Sequence, residues 1–399
     1  MNSGPLSGIR VLDLTNVLAG RYCSYQLLLF GADVIKVEMP KNGDLARQLG
    51  ADPQLNSERL GASFLAQNAG KKSIELDLKD SSGKDEFRQL VKHADVVIEN
   101  FRPGVMQRLG FGWETLHQLN SKLIYCAISG FGQNGPMSNR PAYDQIIQGL
   151  AGIMSVTGTE ELAPLRAGFP VCDTIGGLGA AMAISAALAG RVNSGQGCFL
   201  DVSMLETSVS AMGWAVSNYL ITGQPPSPMG NDNATAAPSG AFPTASGLLN
   251  IAANKQEQFE ILSNAIGMPE LINDARFKNS EMRKINRETI NQEVAKGLSR
   301  KPAAEWEEIL SSLGVPAARV LSVPEMVQLE QLKYRRFFTE LPFPNHPETT
   351  LKISGNGIWI DGHPLAATSP PPTLGQHNKE IFESLLAEPA TGCQQKEVR

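Results

Sequence analysis

The sequence predicts an α/β protein whose main body is a parallel sheet, accompanied by a second, smaller domain. Three observations lead there. Short apolar strand patterns alternate with helical ones through the first half of the chain, an order that gives right-handed strand–helix–strand crossovers and a parallel sheet. At 399 residues the chain exceeds what one compact core usually accommodates. Composition then shifts between residues 222 and 240, a stretch rich in Pro, Gly, Asn and Ser that reads as a linker or loop.

Taken in order, residues 9–14 form the first strand and 15–20 the turn after it. A helix over 22–30 stops at Gly31, and strand 34–38 closes at Met39-Pro40 and the loop Lys41-Asn42-Gly43-Asp44. The first turn reads TNVLAG and lacks the GxGxxG glycines of a dinucleotide-binding phosphate cradle, although Glu38 ends the second strand. Strand 72–78 alternates Ile74, Leu76 and Leu78. Helix 82–93, strand 94–100, helices 105–109 and 114–120, and strand 123–129 follow, then strand 199–204 running into helix 205–220. The candidate second domain, roughly 225–325, holds a hairpin over 241–253 and helices at 256–266, 287–298 and 303–313. Beyond it come a helix over 323–334, a strand pair over 351–360 turning at Gly355-Asn356-Gly357, a Pro-rich surface segment over 364–374, a helix over 376–386 and a frayed last dozen residues.

Ligands of an open parallel sheet gather at the carboxyl ends of its strands. That lines up the 15–20 turn, Asn100–Arg102 and the loop after strand 123–129. Lys71, Lys72, Lys79, Arg102 and Arg108 place positive charge on or near this rim, a local anion site in a chain of net charge −5. No Lys/Arg run exceeds two residues, so nucleic acid is not the expected partner. The five cysteines are scattered without a CxxC pair, which points to a reduced, cytoplasmic protein with no metal site. The N-terminus has no charged-then-apolar signal pattern, and no apolar run approaches the ~18 residues that span a bilayer, so no membrane partner is expected. GxSxG, HExxH and Walker A patterns are absent, and all five histidines fall outside the strand-end loops of the first half.

What remains is a carboxylate. In LRAGFPVCDTIGGLGAAMAISAALAGR (residues 165–191) an apolar run leads to Asp173 and a Gly-rich apolar helix to about residue 189. Asp173 reads as the N-cap of that helix, kept ionised by backbone N–H groups and the helix dipole. Gly176, Gly177 and Gly179 clear space for a close approach. An ionised, desolvated carboxylate beside open space is a nucleophile for an activated acyl group.

The segments LDLTNVLAG, GADVIKVEMP, KKSIELDLK, ADVVIENFRPGVMQRLGFGWE, LIYCAISGFGQNGP, PAYD, FPVCDTIGG and PPPTLGQH resemble those of family III CoA-transferases, the relatives of formyl-CoA and carnitine CoA-transferases, over residues 6–377. The resemblance implies a large Rossmann-like domain built from both chain ends (1–224 and 326–399), a smaller α+β domain (225–325) and an interlocked homodimer. It implies that Asp173 attacks an acyl-CoA thioester, giving an aspartyl anhydride and then an aspartyl-CoA thioester, from which a carboxylic acid takes CoA. Acyl-CoA is then a substrate, and there is no prosthetic group. Val17, Ala19, Leu76, Lys79, Asn100, Phe101 and Arg108 match CoA-contact positions. Asn16, Leu18, Arg21, Tyr143 and Arg166 match or flank positions near the acid, Arg21 and Arg166 being suited to a second carboxylate.

Departures from the family pattern narrow the reading. Gly20 is followed by Arg21 rather than Pro. Met39 stands where an adenine-stacking arginine is common, and Leu18 where formyl-CoA transferase has glutamine. The run of four glycines of formyl-CoA transferase is missing, which disfavours oxalate as acceptor. The chain resembles the branch in which succinyl-CoA donates to glutarate, malate, mesaconate, itaconate or citramalate more than the carnitine branch. Methylacyl-CoA racemases share the fold but carry a His-Asp pair where this chain has Tyr143-Asp144, so the two-base chemistry of racemisation loses its histidine.

Overall fold

The structure, a computed structural model, describes residues 4–387; Cys393 and the expected frayed terminus lie outside the described residues. The chain divides into two compact units. Within the described residues, one unit comprises 4–153, 166–224 and 330–387, and the other 154–165 and 225–329.

The first unit is built on a six-stranded sheet. Strands β1 (Arg10–Asp13), β2 (Asp33–Glu38), β3 (Lys72–Glu75), β4 (Val96–Glu99), β5 (Ile124–Ser129) and β6 (Phe199–Ser203) lie in the order β3-β2-β1-β4-β5-β6, every pairing parallel. The sequence order reverses at β1, so β1 and β4 leave the sheet in opposite directions. A crevice at the carboxyl ends follows from that topology.

Period-2 alternation assigns the strand side chains to two cores. Val11, Val34, Val96, Ile98 and Ile124 face helices α1 (Ala19–Leu29) and α6 (Val171–Ser194). Leu12, Ile35, Val97 and Tyr125 face the other layer: α2 (Ser81–Lys92), α3 (Val105–Leu109), α4 (Trp113–Leu119) and α12 (Asn378–Ala387). Between β5 and α6 the chain forms a helix that the sequence pattern did not announce, α5 (Asp144–Leu150).

Helix α6 is 24 residues long, with an 18-residue window of mean hydropathy 1.6, longer than the apolar run suggested. Its Cys172, Gly176, Gly177, Ala180, Ala181, Ile184 and Leu188 are buried in the unit, one stripe of a helix that leaves Met182 and Val192 largely exposed. Gly177 sits directly on α1. A Cβ there would lie 2.5 Å from the Ala19 carbonyl oxygen and 3.3 Å from the Cys23 nitrogen.

Elsewhere local signals misplace boundaries. The expected helix 205–220 is broken at Gly213, whose φ of 53° ends α7 (Met204–Ala211) before α8 (Trp214–Thr222). The expected helix 323–334 is two short pieces, Val323–Met326 and Glu330–Tyr334.

In the second unit β7 (Ser239–Pro243) pairs antiparallel with β8 (Leu248–Ala252), and helices α9 (Gln256–Ala265), α10 (Arg287–Leu298) and α11 (Ala303–Ser312) precede β9 (Ala317–Arg319). Beyond it, back in the first unit, the hairpin is β10 (Phe338–Phe343) with β11 (His346–Ser354). It turns at Asn345, with φ of 64°, rather than at the Gly-Asn-Gly triplet; Asn tolerates that conformation. The Pro-rich segment is not a surface feature throughout, since Pro371 and Pro372 are buried and the Pro372 carbonyl accepts from Arg47 at 3.2 Å.

Gly177→Ala adds a methyl group where backbone stands and should lower the urea midpoint by the equivalent of about 1–3 kcal/mol. Gly190→Ala, on the same helix with open space around it, should raise it by about 0.5–1 kcal/mol. Equal effects of the two substitutions in urea unfolding would show that the α1–α6 contact is not tight.

Candidate active site

The carboxyl ends of β1, β2 and β3 and the loop after β4 open on a cleft of about 300 Å³, lined among others by Asn16, Met39, Leu76, Lys79, Phe101 and Val105. Four of the sequence-predicted residues, Asn16, Leu76, Lys79 and Phe101, thus share one cavity. Its walls are mostly apolar, with exposed Lys79 at hand for an anionic group. Met39 lines it at 48% exposure. Arg108 is exposed on α3, whose Val105 and Leu109 line the cleft.

The turn after β1 is fixed from two sides. Asn100, just past β4, uses its side chain as a peptide mimic. Its Oδ1 accepts the Asn16 N–H at 2.8 Å, and its Nδ2 donates to the Asn16 carbonyl at 2.8 Å. Val17 then adopts a φ of 64°, an outlier for a β-branched residue. Its N–H donates to Asp44 Oδ1 at 3.1 Å. Leu18 is the residue before α1, and Ala19 opens that helix, buried.

Beneath this turn lies a buried cluster of five ionisable side chains. Asp13 Oδ2 meets Lys71 Nζ at 3.0 Å, and Asp13 Oδ1 lies 3.7 Å from Lys36 Nζ. The hydroxyls of Thr15 and Ser24 both donate to Asp13 at 2.6 Å. Burial opposes the Asp13 charge, but Lys36, Lys71 and these hydroxyls outweigh it and hold the carboxyl well below its ordinary range. Lys36 Nζ also lies 3.1 Å from Asp44 Oδ2, and Arg21 Nε 3.6 Å from the same oxygen. Burial lowers the Lys71 pKa to about 8 against the pull of Asp13.

Lys71 therefore belongs to the interior and not to the expected basic rim. Lys72 lies on the far side of the strand ends, with Asp33 and Glu380 at 3.4 and 3.2 Å. Arg21 is buried too, its Nη1 donating to the Ser63 carbonyl at 2.9 Å.

Asp173 is the third residue of α6, not its N-cap; Pro170 occupies that place. The capping is done by Asp144 of α5, whose Oδ1 accepts the N–H groups of Cys172 at 2.8 Å and Asp173 at 3.2 Å. Gln148 orients Asp144 by donating to its Oδ2 at 2.6 Å, and is itself anchored by the Ala167 N–H at 2.8 Å. The Asp173 carboxyl, half-buried, is consequently not held low by capping. Burial and the neighbouring Asp144 charge push its pKa up to about 7, with Arg21 pulling the other way. Asp144 and Gln148 escaped the sequence reading, although Asp144 closes the PAYD motif. Tyr143 beside it is 69% exposed. Arg166 is exposed and donates from Nε to the Ala167 carbonyl at 3.2 Å.

Glu99, at the end of β4, is a further buried carboxyl outside the sequence reading. It accepts the Phe101 N–H at 2.7 Å and a hydrogen bond from the Tyr125 hydroxyl at 3.3 Å. Burial raises its pKa to about 7 despite these donors. Among the described residues no group of three or more His, Cys, Asp or Glu side chains is arranged to hold a metal ion.

The profile of CoA-transferase family III matches residues 6–378. Succinyl-CoA:glutarate CoA-transferase of Mus musculus is 34% identical over 383 residues, covering 96% of this chain and 86% of the relative. Acetyl-CoA:oxalate CoA-transferase of Acetobacter aceti is 38% identical over 353 residues, covering 88% and 90%. Among solved structures, a CAIB/BAIF family protein from Brucella suis superposes with a TM-score of 0.84 at 32% identity, covering 96% of this chain and 99% of that one. A cleft at the carboxyl ends of a parallel sheet, a half-buried carboxyl at the head of a core helix and these matches converge: the chain belongs to CoA-transferase family III.

Proposed function

We propose that the protein moves CoA from succinyl-CoA to a small dicarboxylate through covalent intermediates on Asp173. The observation that carries the reading is Asp173 itself, a half-buried carboxyl at the start of α6 whose basicity is raised by burial and by Asp144. A carboxylate with a pKa near neutrality is a stronger nucleophile than an ordinary one and is still substantially ionised at pH 7.

Its oxygen attacks the thioester carbonyl; the C–S bond breaks and CoA leaves as the thiolate, giving an acyl–aspartyl anhydride. The thiolate attacks the aspartyl carbonyl of the anhydride and expels the donor acid, giving an aspartyl-CoA thioester. The acceptor carboxylate attacks that thioester and releases the thiolate again, which then takes the acceptor acyl group and frees Asp173. Each step exchanges one carboxylate or thiolate for another, so no proton need be supplied.

In this reading the cleft receives CoA, with the backbone of Val17 and Ala19 and the side chains of Leu76, Lys79, Asn100, Phe101 and Arg108 as contacts. Asn16, Leu18, exposed Tyr143 and exposed Arg166 are proposed to meet the acid. Arg21, engaged with Asp44 and the Ser63 carbonyl, is proposed to act on the acid only through Asp173. The name of the mouse relative favours glutarate-like acceptors. The higher identity to the Acetobacter protein keeps oxalate as a second reading, so both belong in the test.

We also propose a homodimer, interlocked as the family resemblance implies. Met182 and Val192 on α6 and Leu220 and Ile221 on α8 are largely exposed in the single chain, an apolar surface that a second copy would cover. The described cysteines are free, which fits a reducing compartment.

Incubation with succinyl-CoA or acetyl-CoA and a panel containing glutarate, citramalate, mesaconate, malate, itaconate and oxalate should yield one dominant new acyl-CoA mass. Asp173→Ala should abolish it, by at least a thousandfold, while CoA still binds; an Asp173→Ala protein that exchanges normally would remove the covalent mechanism. The second expectation concerns pH. Because free Asp173 must be ionised, kcat/KM for the acyl-CoA should rise with pH and level off above about 7. Asp144→Asn keeps an acceptor for the helix N–H groups but deletes a charge, so the midpoint should move toward acid. An unmoved midpoint would mean that Asp144 does not act on Asp173.

A further inference from the structure

The left-handed turn at Val17 and the loop carrying Asp44 meet at one buried carboxylate. Asp44 sits in the loop after β2, positioned by its own N–H donating to Glu38 Oε2 at 2.9 Å. Arg47 clamps Glu38 in turn, its Nε and Nη2 each donating at 2.7 Å. One Asp44 oxygen, Oδ1, accepts the Ala46 N–H at 2.9 Å and the Val17 N–H at 3.1 Å. The other, Oδ2, faces Lys36 Nζ at 3.1 Å and Arg21 Nε at 3.6 Å. Asp44 is 2% exposed, yet it lines the cleft together with Thr15, Asn16 and Gly43.

A valine at a φ of 64° is held there only by what surrounds it. Two partners over-determine the turn. Asn100 fixes the peptide before Val17 through Asn16, and Asp44 takes the N–H of Val17 itself. Relieving that strain by rotating the Asn16–Val17 peptide would break the Asp44 bond and leave a buried carboxylate oxygen without that donor. The same turn leads into Ala19, whose carbonyl oxygen is the atom that Gly177 of α6 approaches. Gly177 lies one turn beyond Asp173 on the same helix face. The conformation of Val17 is thus tied both to the cleft and to the helix that carries the nucleophile.

We infer that Asp44 is a positioning residue for the transfer reaction: its carboxylate holds Val17 in the left-handed conformation that presents the turn to the acyl-CoA. This rests on the proposed role of that turn in binding CoA. Arg21 is part of the same device, since its pairing with Asp44 fixes it within α1 close to the turn.

The test is a double-substitution cycle read by acyl-CoA KM and by kcat. Asp44→Ala should raise the acyl-CoA KM about tenfold or more, with a smaller effect on kcat. Asp44→Asn, whose amide oxygen still accepts from Val17, should recover most of that loss. Val17→Gly adopts a positive φ without strain, so adding Asp44→Ala to it should raise KM no more than about threefold. An equal effect of Asp44→Ala in the wild-type protein and in the Val17→Gly variant would overturn the inference. Should Asp44→Ala fail to fold, the wild-type protein answers by amide hydrogen exchange. The Val17 N–H should be protected as strongly as those of β1 and should lose protection in Asp44→Asn less than tenfold. A Val17 amide that exchanges at the rate of an open loop refutes the bond. This readout needs no turnover, so it separates a failure of the positioning role from a failure of the CoA-binding reading.

Discussion

The buried charge cluster under the first turn is the constraint on which the site depends. Asp13, Lys36, Lys71, Arg21 and Asp44 lie together at the ends of β1 and β2, with Glu38 and Arg47 as a second pair beside them. Taking charges out of water is costly, and such a cluster is no sure source of stability. It does fix geometry. Each ion has two or more partners of fixed position, so β1, β2, the start of α1 and the loop before β3 can hold only one arrangement. The cleft is formed by the residues that cap these same segments, Asn16, Met39, Gly43 and Asp44 among them.

The fold was largely legible because its signals are local. Alternation of strand and helix patterns through residue 129 gave five of the six parallel strands in order, and FLDVSM gave the sixth. Signals failed where tertiary contacts decide. Gly213 breaks a helix whose composition is continuous. Asn345 turns a hairpin that Gly355-Asn356-Gly357 is by composition better equipped to turn. Pro371 and Pro372 are buried, and the Pro372 carbonyl accepts from Arg47, a contact across 325 positions that no window of sequence displays.

The site divides the same way. Asp173 stood out by type and surroundings, and Asn16, Leu76, Lys79 and Phe101 fall on one cleft. Its ionisation did not stand out. An Asp preceding a Gly-rich helix reads as a cap and therefore as a low-pKa group. The capping carboxylate is instead Asp144, supplied by another helix, and its charge adds to burial in raising Asp173. Lys71 departs from the expected rim for a related reason: a basic residue near a strand end looks solvent-facing in sequence, and only the fold discloses the buried carboxylate that draws it inward.

This inversion has a chemical consequence. A cap would have spent the Asp173 lone pairs on backbone N–H groups and lowered its basicity, leaving a poor nucleophile. Assigning the cap to Asp144 frees Asp173 from that bonding. Arg21 is the counterweight: its positive charge pulls the Asp173 pKa down against burial and the Asp144 charge. Arg21 stands on α1 and Asp173 on α6, and Gly177 lets the second turn of α6 lie against the first turn of α1. Burial and Asp144 thus set the basicity of Asp173, while Gly177 holds the helix that carries it against α1.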